Sequence, residues 1–174
     1  KEEQSRSRML VRLSLAEKLI DYGFWYMPYT LDFRSRAYSV CELLSCQGID
    51  FDRAIIHFAN PIPQTERGLY WLKVHAAGLF EQDKIPFDDR VQWIDDNMDM
   101  IRAIANDPYT NTKWVSDKVK KNPSFQTLAA CFELCRTDGM TQLPVQMDGA
   151  NNGVQHWSAI MRDEKLAKLT NVLP

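Results

Sequence analysis

LPVQMDGANNGVQH, residues 143–156, is the most informative part of this sequence, because a short apolar run leads one carboxylate into a turn of small and amide residues. Residues 143–147 are mostly apolar, as in a short buried strand. Gly149 and Gly153 follow, and glycine lets a backbone approach a ligand closely. Because apolar residues recur at helical spacing after Gly153, the pattern predicts a strand-to-helix junction with Asp148 at its turn. Residues at such junctions commonly carry function.

Asp148 has a local interpretation as well as a functional one. Asp and Asn are favoured in turns and at helix caps because their side chains hydrogen-bond to nearby backbone groups. Taken alone, an aspartate in this setting is more often a turn residue than a metal ligand. The sequence around it therefore has to decide between the two interpretations.

Four blocks of sequence resemble the single-subunit DNA-dependent RNA polymerases of bacteriophages and mitochondria. The string DGANNGVQHWSAIMRD, residues 148–163, closely resembles the first catalytic motif of that family. PYTLDFRSRAY, residues 28–38, resembles the Asp-x-Arg-Gly-Arg-x-Tyr signature at the start of the family's palm, with Ser35 in place of the glycine. Between them, residues 68–75 and 83–87 match further blocks in the family's order. Four blocks in order are far more specific than any one of them.

The order of predicted elements indicates an α+β fold. Helices are predicted over residues 8–22, 52–58, 65–80, 87–106 and 123–136, the last with Asn122 as its cap and Pro123 at its first position. Strands are predicted over residues 24–29, 37–40 and 143–147, with a polar turn at residues 32–36. Few strands among many helices suit a small antiparallel sheet with helices on one face. The resemblance implies one partial domain over residues 1–174, a helix-rich palm subdomain in which residues 1–23 form a leading helix adjoining the thumb side.

The resemblance implies a nucleotidyltransferase, a subunit of a DNA-directed RNA polymerase that adds ribonucleotides to an RNA 3′ end on a DNA template. Two-metal transfer of this kind needs carboxylates that bridge two Mg²⁺ ions about 3.5–4 Å apart. Asp148 would supply one metal-binding and catalytic carboxylate. The carbonyl of Gly149 would add another hard oxygen, the ligand type that Mg²⁺ prefers.

The upstream motif implies contacts with nucleic acid. Arg34 and Arg36 would grip template phosphates, which positions nucleic acid without reading its sequence, and Tyr38 would lie beside them. The alternative for paired arginines is a surface ion pair, here with Asp32. Lys84 matches a family lysine near the incoming nucleotide and is a second catalytic candidate, although exposed lysines are common.

Gly153 bears on the choice of sugar. DNA polymerases that share this palm have a bulky glutamate five residues after the motif's aspartate, where it would exclude the 2′-hydroxyl. This chain has Gly153 at that position, so the resemblance favours ribonucleoside triphosphates as substrates.

Parts of the family's active site have no counterpart in this sequence. The family's second metal-binding acid lies in a His-Asp-Ser hairpin, and this chain has no His-Asp dipeptide. A fingers helix with basic residues for the triphosphate is also missing. We therefore expect activity only with a second polypeptide that brings the fingers and the His-Asp-Ser motif. The alternative is a non-catalytic nucleic-acid-binding or assembly subunit that retains a palm-like scaffold, and the Asp148-Gly149 pair favours catalysis.

Composition limits the remaining possibilities. A net charge of -2 over 174 residues is not that of a protein that binds nucleic acid over its whole surface. The four cysteines lack zinc-site spacing, which predicts free thiols in a reducing compartment. No apolar run approaches the roughly 20 residues that cross a bilayer. We expect no membrane partner and a cytoplasmic location, that of an infected host cell if a phage encodes the chain.

Overall fold

The computed structural model describes residues 2–115, 124–146, 152–170 and 172–173. Within those ranges the α-helices are Glu2–Ile20 (α1), Asp50–Ile55 (α2), Glu66–Leu79 (α3), Phe87–Asp96 (α4), Met98–Asn106 (α5), Ser124–Leu134 (α6), Asn152–Met161 (α7) and Glu164–Leu169 (α8), with a 3₁₀ helix at Thr112–Trp114. The strands are Tyr29–Leu31 (β1), Ala37–Ser39 (β2), Ile62–Pro63 (β3) and Met140–Thr141 (β4).

The strands form two small antiparallel sheets. β1 and β2 make a local hairpin in which Thr30 lies opposite Tyr38. β3 and β4 come from distant parts of the chain and pair with Ile62 opposite Thr141. Many helices with little antiparallel sheet confirm the α+β prediction.

Side-chain caps explain where several helices begin. The Thr65 hydroxyl accepts a hydrogen bond from the backbone N–H of Gly68 (3.0 Å) at the start of α3. At the start of α6, the Asp50 carboxylate accepts from the backbone N–H groups of Phe125 (2.7 Å) and Gln126 (3.1 Å). The cap of α6 thus includes a residue of α2, distant in sequence. The predicted cap at residues 122–123 lies outside the described residues.

The core lies where α3, α4, α5 and α6 meet. Its buried side chains are Leu72, Ala76, Ala77, Ile94, Ile101, Ile104, Ala130, Cys131 and Leu143. Burying one isoleucine side chain contributes about 2 kcal/mol. Leu143 comes from the segment that precedes Asp148, so the same core that stabilises the fold also holds this segment. Burial raises the pKa of Cys131 to about 12, which keeps its thiol protonated.

The long helix α1 is joined to the rest of the chain through α2. The Nε atom of Arg12 lies 2.7 Å from Oδ1 of Asp52, whose side chain is fully buried. An apolar groove of about 400 Å³ runs between the two helices. Within the described part of the chain, no helix is both long enough and apolar enough to span a bilayer.

Three of the predicted elements were wrong in type or continuity. The helix expected over residues 87–106 is two helices, because Asn97 interrupts it and donates its side-chain N–H to the carbonyl of Trp93 (2.8 Å). Residues 24–28 are not a strand, since pairing begins only at Tyr29. Residues 143–146, the described part of the strand predicted over residues 143–147, are not a strand either, and β4 ends at Thr141.

Candidate functional site

The hairpin loop at residues 32–36 is a three-residue turn organised by one carboxylate. The N–H of Ser35 donates to the carbonyl of Asp32 (3.0 Å), and the N–H of Asp32 donates to the carbonyl of Arg36 (3.0 Å). This pattern closes a type I turn followed by a left-handed residue. Ser35 takes that conformation, with φ of +60°. The serine therefore adopts the backbone shape that a glycine would adopt more readily.

Asp32 accepts hydrogen bonds from both flanks of this loop. Its Oδ1 atom accepts from the backbone N–H groups of Arg34 (2.8 Å) and Arg36 (3.0 Å). The bond from the Arg36 backbone is the largest of several that lower the pKa of Asp32 below its ordinary value. The carboxylate stays ionised at neutral pH and fixes the orientation of both arginines.

The two arginines differ in what their guanidinium groups contact. Arg34 is paired with the Oδ2 atom of Asp32 (3.0 Å), as the ion-pair alternative predicted, and its Nη2 lies 3.5 Å from the hydroxyl of Tyr38. The Tyr38 hydroxyl also donates to Asp32 (3.4 Å). Among the described residues, the Arg36 guanidinium has no ion-pair partner. Arg36 is therefore the cation that the hairpin leaves open to a ligand.

A buried carboxylate on α6 holds the segment that leads toward Asp148. Glu133 has a side chain only 2% exposed, and its Oε1 atom accepts from the Thr141 hydroxyl (2.7 Å) and from the N–H groups of Gln142 (2.7 Å) and Leu143 (3.3 Å). Burial alone raises the pKa of Glu133, but these bonds outweigh it and the net shift is downward. Side-chain bonds thus replace the strand pairing that the sequence predicted here.

The far end of the same segment is held by α2. The Nη1 atom of Arg53 donates to Oε1 of Gln146 (3.1 Å), two residues before Asp148 in the sequence. Asp148 and Gly149 themselves lie outside the described residues, so their predicted metal-binding roles stay predictions. Elsewhere in the chain as described, no group of three or more His, Cys, Asp or Glu side chains could hold a metal ion.

Gly153 lies in the first turn of α7 and is exposed. A Cβ atom added there would have no described atom within 4 Å. Among the described residues, an added Cβ at this position therefore meets no clash.

Lys84 lies in the loop between α3 and α4, where its side chain is 87% exposed. Its amine pairs with Asp83 (2.8 Å). Arg90 fixes the backbone of this loop by donating to the carbonyls of Ile85 (2.9 Å) and Asp83 (2.7 Å). No hydrogen bond or ion pair between described residues joins Lys84 to the hairpin.

A cleft of about 280 Å³ lies between α3, α4 and residues 145–146. Trp71 and Phe87 form an edge-to-face pair in its wall, with the Arg90 guanidinium 5.0 Å from the centre of the Phe87 ring. Burial lowers the pKa of His75, so this lining residue is neutral at neutral pH.

Sequence reasoning missed Glu133, Arg53 and Gln146 as supports of the segment before Asp148. One signal was available for Glu133. It is the single charged residue in the helix sequence SFQTLAACFEL, and an acid in an apolar helix needs buried donors. The sequence does not indicate which groups donate hydrogen bonds to Glu133.

Comparison with known proteins agrees with the motifs. The family of DNA-dependent RNA polymerases matches residues 62–174. The chain is 35% identical over 167 residues to T7 RNA polymerase of Escherichia phage T7, which covers 93% of this chain and 18% of that protein. It is 36% identical over 170 residues to a mitochondrial DNA-directed RNA polymerase of Schizosaccharomyces pombe, covering 94% of this chain and 14% of the relative.

A plastid enzyme gives the same result. The chain is 34% identical over 172 residues to the chloroplastic DNA-directed RNA polymerase 3 of Nicotiana sylvestris, which covers 94% of this chain and 17% of that protein. The chain spans less than a fifth of the length of each of these three relatives. With a family match over most of its residues and relatives from phages, mitochondria and plastids, this chain belongs to the phage-type DNA-dependent RNA polymerase family.

Proposed function

We propose that these residues form part of the palm of a DNA-directed RNA polymerase and supply one metal-binding aspartate to templated ribonucleotide addition. The observation that supports this most strongly is the family match over residues 62–174, which includes the whole motif around Asp148. A second support is the position of residues 141–146, which Glu133 and Arg53 hold on the way to that motif.

The proposed metal-binding group is Asp148 with the carbonyl of Gly149. When bound, two Mg²⁺ ions would stabilise the attacking and leaving oxygens of nucleotidyl transfer. A carboxylate and a carbonyl are hard oxygen donors and suit Mg²⁺, but they make only part of a coordination shell. Glu133 cannot complete it, because its carboxylate is buried and already accepts bonds from residues 141–143. A second acid must therefore come from outside the described residues.

The remaining parts of the active site are proposed to come from further polypeptide. The relatives are more than five times as long as the aligned region, which leaves room in them for residues with no counterpart here. We propose a second polypeptide that brings the fingers, basic residues for the triphosphate and a His-Asp-Ser motif. Template DNA, nascent RNA and ribonucleoside triphosphates would bind between the two parts.

The proposed nucleic-acid contact is the β1–β2 hairpin. The Arg36 guanidinium, which has no ion-pair partner among the described residues, would bind a template phosphate, whereas Arg34 and Tyr38 would fix the turn through Asp32. Phe33 at the tip is 94% exposed, and the Arg34 guanidinium lies 5.3 Å from its ring centre. The hairpin thus offers charge and an aromatic face together.

Two further positions are proposed to lie near the nucleotide. The exposed Lys84 amine would approach the incoming triphosphate, which could displace its weak surface pair with Asp83. Gly153 would leave room for the ribose 2′-hydroxyl. Gly153→Glu should then reduce the use of ribonucleotides more than that of deoxyribonucleotides in a competition assay, and equal losses would contradict this role.

The test of the proposed function is Asp148→Asn in the assembled polymerase. An asparagine amide lacks the negative charge with which a carboxylate stabilises two neighbouring divalent ions, so nucleotide addition at saturating Mg²⁺ should fall by orders of magnitude while template binding persists. Asp163→Asn is a matched control, since Asp163 caps α8 through Leu166 (3.1 Å) and has no proposed metal role. Near wild-type turnover by Asp148→Asn would instead favour a non-catalytic, palm-like scaffold.

A further inference from the structure

The Glu133 carboxylate forms hydrogen bonds with residues that lie outside its own helix, α6. The carboxylate lies near the end of α6 and directs one oxygen at three consecutive residues, Thr141, Gln142 and Leu143, at distances of 2.7, 2.7 and 3.3 Å. Its other oxygen accepts from Arg136 (3.4 Å). A fixed, nearly unexposed acceptor that collects two backbone N–H groups and a hydroxyl determines the path of the backbone at that point.

Arg136 in turn fixes Glu133. The same guanidinium donates to both carboxylate oxygens of Asp138, at 3.2 and 2.5 Å, and to the side chain of Gln142 (3.3 Å). Gln142 is also bound by Phe58. The backbone carbonyl of Gln142 accepts from the backbone N–H of Phe58 (2.9 Å), and the side-chain amide of Gln142 donates to the backbone carbonyl of Phe58 (2.9 Å). Residue 142 is therefore held on both sides.

These contacts act on a segment that has no strand pairing of its own after Thr141. Residues 142–146 are held by Glu133 and Phe58 at one end and by the bond from Arg53 to Gln146 at the other. The buried Leu143 adds a core contact between them. Loss of the Glu133 bonds would leave buried backbone N–H groups without an acceptor, which forces the segment to shift.

We propose that Glu133 is a positioning residue for Asp148, one that sets the metal affinity of the site by fixing residues 141–143. This inference rests on the proposed function of Asp148. Glu133 does not bind the metal, because its oxygens are occupied and enclosed. Groups that orient metal ligands typically affect metal affinity or activity by about 10–100-fold when they are replaced.

The test uses the assembled polymerase and measures two quantities: the equilibrium affinity for Mn²⁺, a spectroscopically visible substitute for Mg²⁺, and the Mg²⁺ concentration that gives half-maximal nucleotide addition. Glu133→Gln keeps one acceptor oxygen but loses the charge and turns an amide N–H₂ donor toward either Arg136 or the backbone N–H groups, so it should raise that concentration about tenfold, with much of the rate restored at high Mg²⁺. Asp52→Asn is the matched control, because Asp52 is also buried and paired with an arginine but its bond reaches α1. At a similar loss of melting temperature, Asp52→Asn should leave the Mg²⁺ requirement unchanged.

A milder pair of variants covers the case in which Glu133→Gln fails to fold. Thr141→Val removes one donor to Glu133 and should raise the Mg²⁺ requirement by a smaller factor, whereas Thr141→Ser keeps the hydroxyl and should not. An unchanged requirement in Glu133→Gln and Thr141→Val, or an equal rise in Asp52→Asn, would overturn the inference.

Asp148→Asn, assayed in parallel, separates this inference from the proposed function. An inactive Asp148→Asn with a normal Mg²⁺ requirement in Glu133→Gln would reject the positioning role alone. An active Asp148→Asn would reject the proposed function itself.

Discussion

The hairpin turn at residues 32–36 and the segment at residues 141–143 are both shaped by a single carboxylate that accepts two backbone N–H bonds. Asp32 acts on residues two and four positions away, and its side chain is 18% exposed. Glu133 acts on residues nine and ten positions away, and its side chain is 2% exposed. If Asp32 were removed, water could accept many of the hydrogen bonds that its carboxylate now accepts. Water could replace few of the bonds that the enclosed Glu133 carboxylate accepts.

This difference in exposure separates the roles of the two regions. The hairpin is a local unit that presents Arg36 and Phe33 outward, where a ligand can reach them. The 141–143 segment lies between α6 and the loop after α2, with Leu143 buried, and it precedes Asp148 in the chain. The hairpin exposes groups that a ligand can contact, whereas the 141–143 segment is held in a fixed backbone position.

Replacing the two carboxylates by alanine should therefore have unequal effects. In the assembled polymerase, Glu133→Ala should lower the free energy of local opening at residues 141–143 by about 3–5 kcal/mol, because buried donors lose their acceptor. Asp32→Ala should accelerate amide exchange at Arg34 and Arg36 by only about tenfold, the usual cost of losing a cap. Hydrogen exchange with mass spectrometry measures both, and equal effects would remove the distinction.

At low pH, protonation of Asp32 should destabilise the hairpin turn, and protonation of Glu133 should destabilise the 141–143 segment. Both carboxyl groups have lowered pKa values in the folded chain. Their stabilisation is complete above the unfolded values, about 3.9 for Asp and 4.3 for Glu, and is lost as the pH falls through the folded values. The difference in opening free energy between wild type and Glu133→Gln should shrink over that window. A difference that is constant from pH 7 to pH 3 would show that the Glu133 charge contributes nothing.

Within the hairpin, the two arginines should differ in their effect on template binding. Arg36→Ala should weaken binding independently of sequence and reduce the slope of log K against log salt by about 0.9, the contribution of one phosphate. Arg34→Ala is the control, because its guanidinium already pairs with Asp32. Salt titrations of template binding would contradict the assignment if Arg34→Ala changed the slope and Arg36→Ala did not.

The smallest expected effect is at Ser35. A non-glycine residue at φ of +60° is strained, so Ser35→Gly should stabilise the hairpin by up to about 1 kcal/mol. Gly23→Ser is the reverse control, since Gly23 has φ of +72° and open space around an added Cβ. It should destabilise its turn by a similar amount. Melting curves of the assembled polymerase would show opposite shifts for the two variants, and shifts of the same sign would contradict the strain argument.

The same distinction between local and tertiary contacts explains what the sequence could predict. The hairpin was predictable because Asp32 and its partners lie within a few residues of one another. The break at Asn97 was not, since it is a local change of backbone conformation (φ -108°, ψ 13°) inside an apolar, helix-like pattern. The support from Glu133 was not predictable either, because its partners follow from how α6 packs and not from spacing along the chain.

The candidate site divides in the same way. Asp148 and the Arg34–Arg36 motif stand in recognisable local patterns and could be chosen from sequence. The sequence could not indicate which of the two arginines is available to a ligand, because this depends on the direction in which each guanidinium leaves the turn. The expected strand before Asp148 was wrong because an apolar run also fits a segment held by side chains.

The most direct test of the central claim is to locate the metal itself. Fe²⁺ can be substituted for Mg²⁺ in the assembled polymerase, and the hydroxyl radicals that it generates with peroxide cut the backbone near the ion. We predict cleavage in this chain next to Asp148 that excess Mg²⁺ suppresses and that Asp148→Asn abolishes. Cleavage that is confined to other residues, or that persists unchanged in Asp148→Asn, would contradict the claim that this chain supplies a metal-binding aspartate.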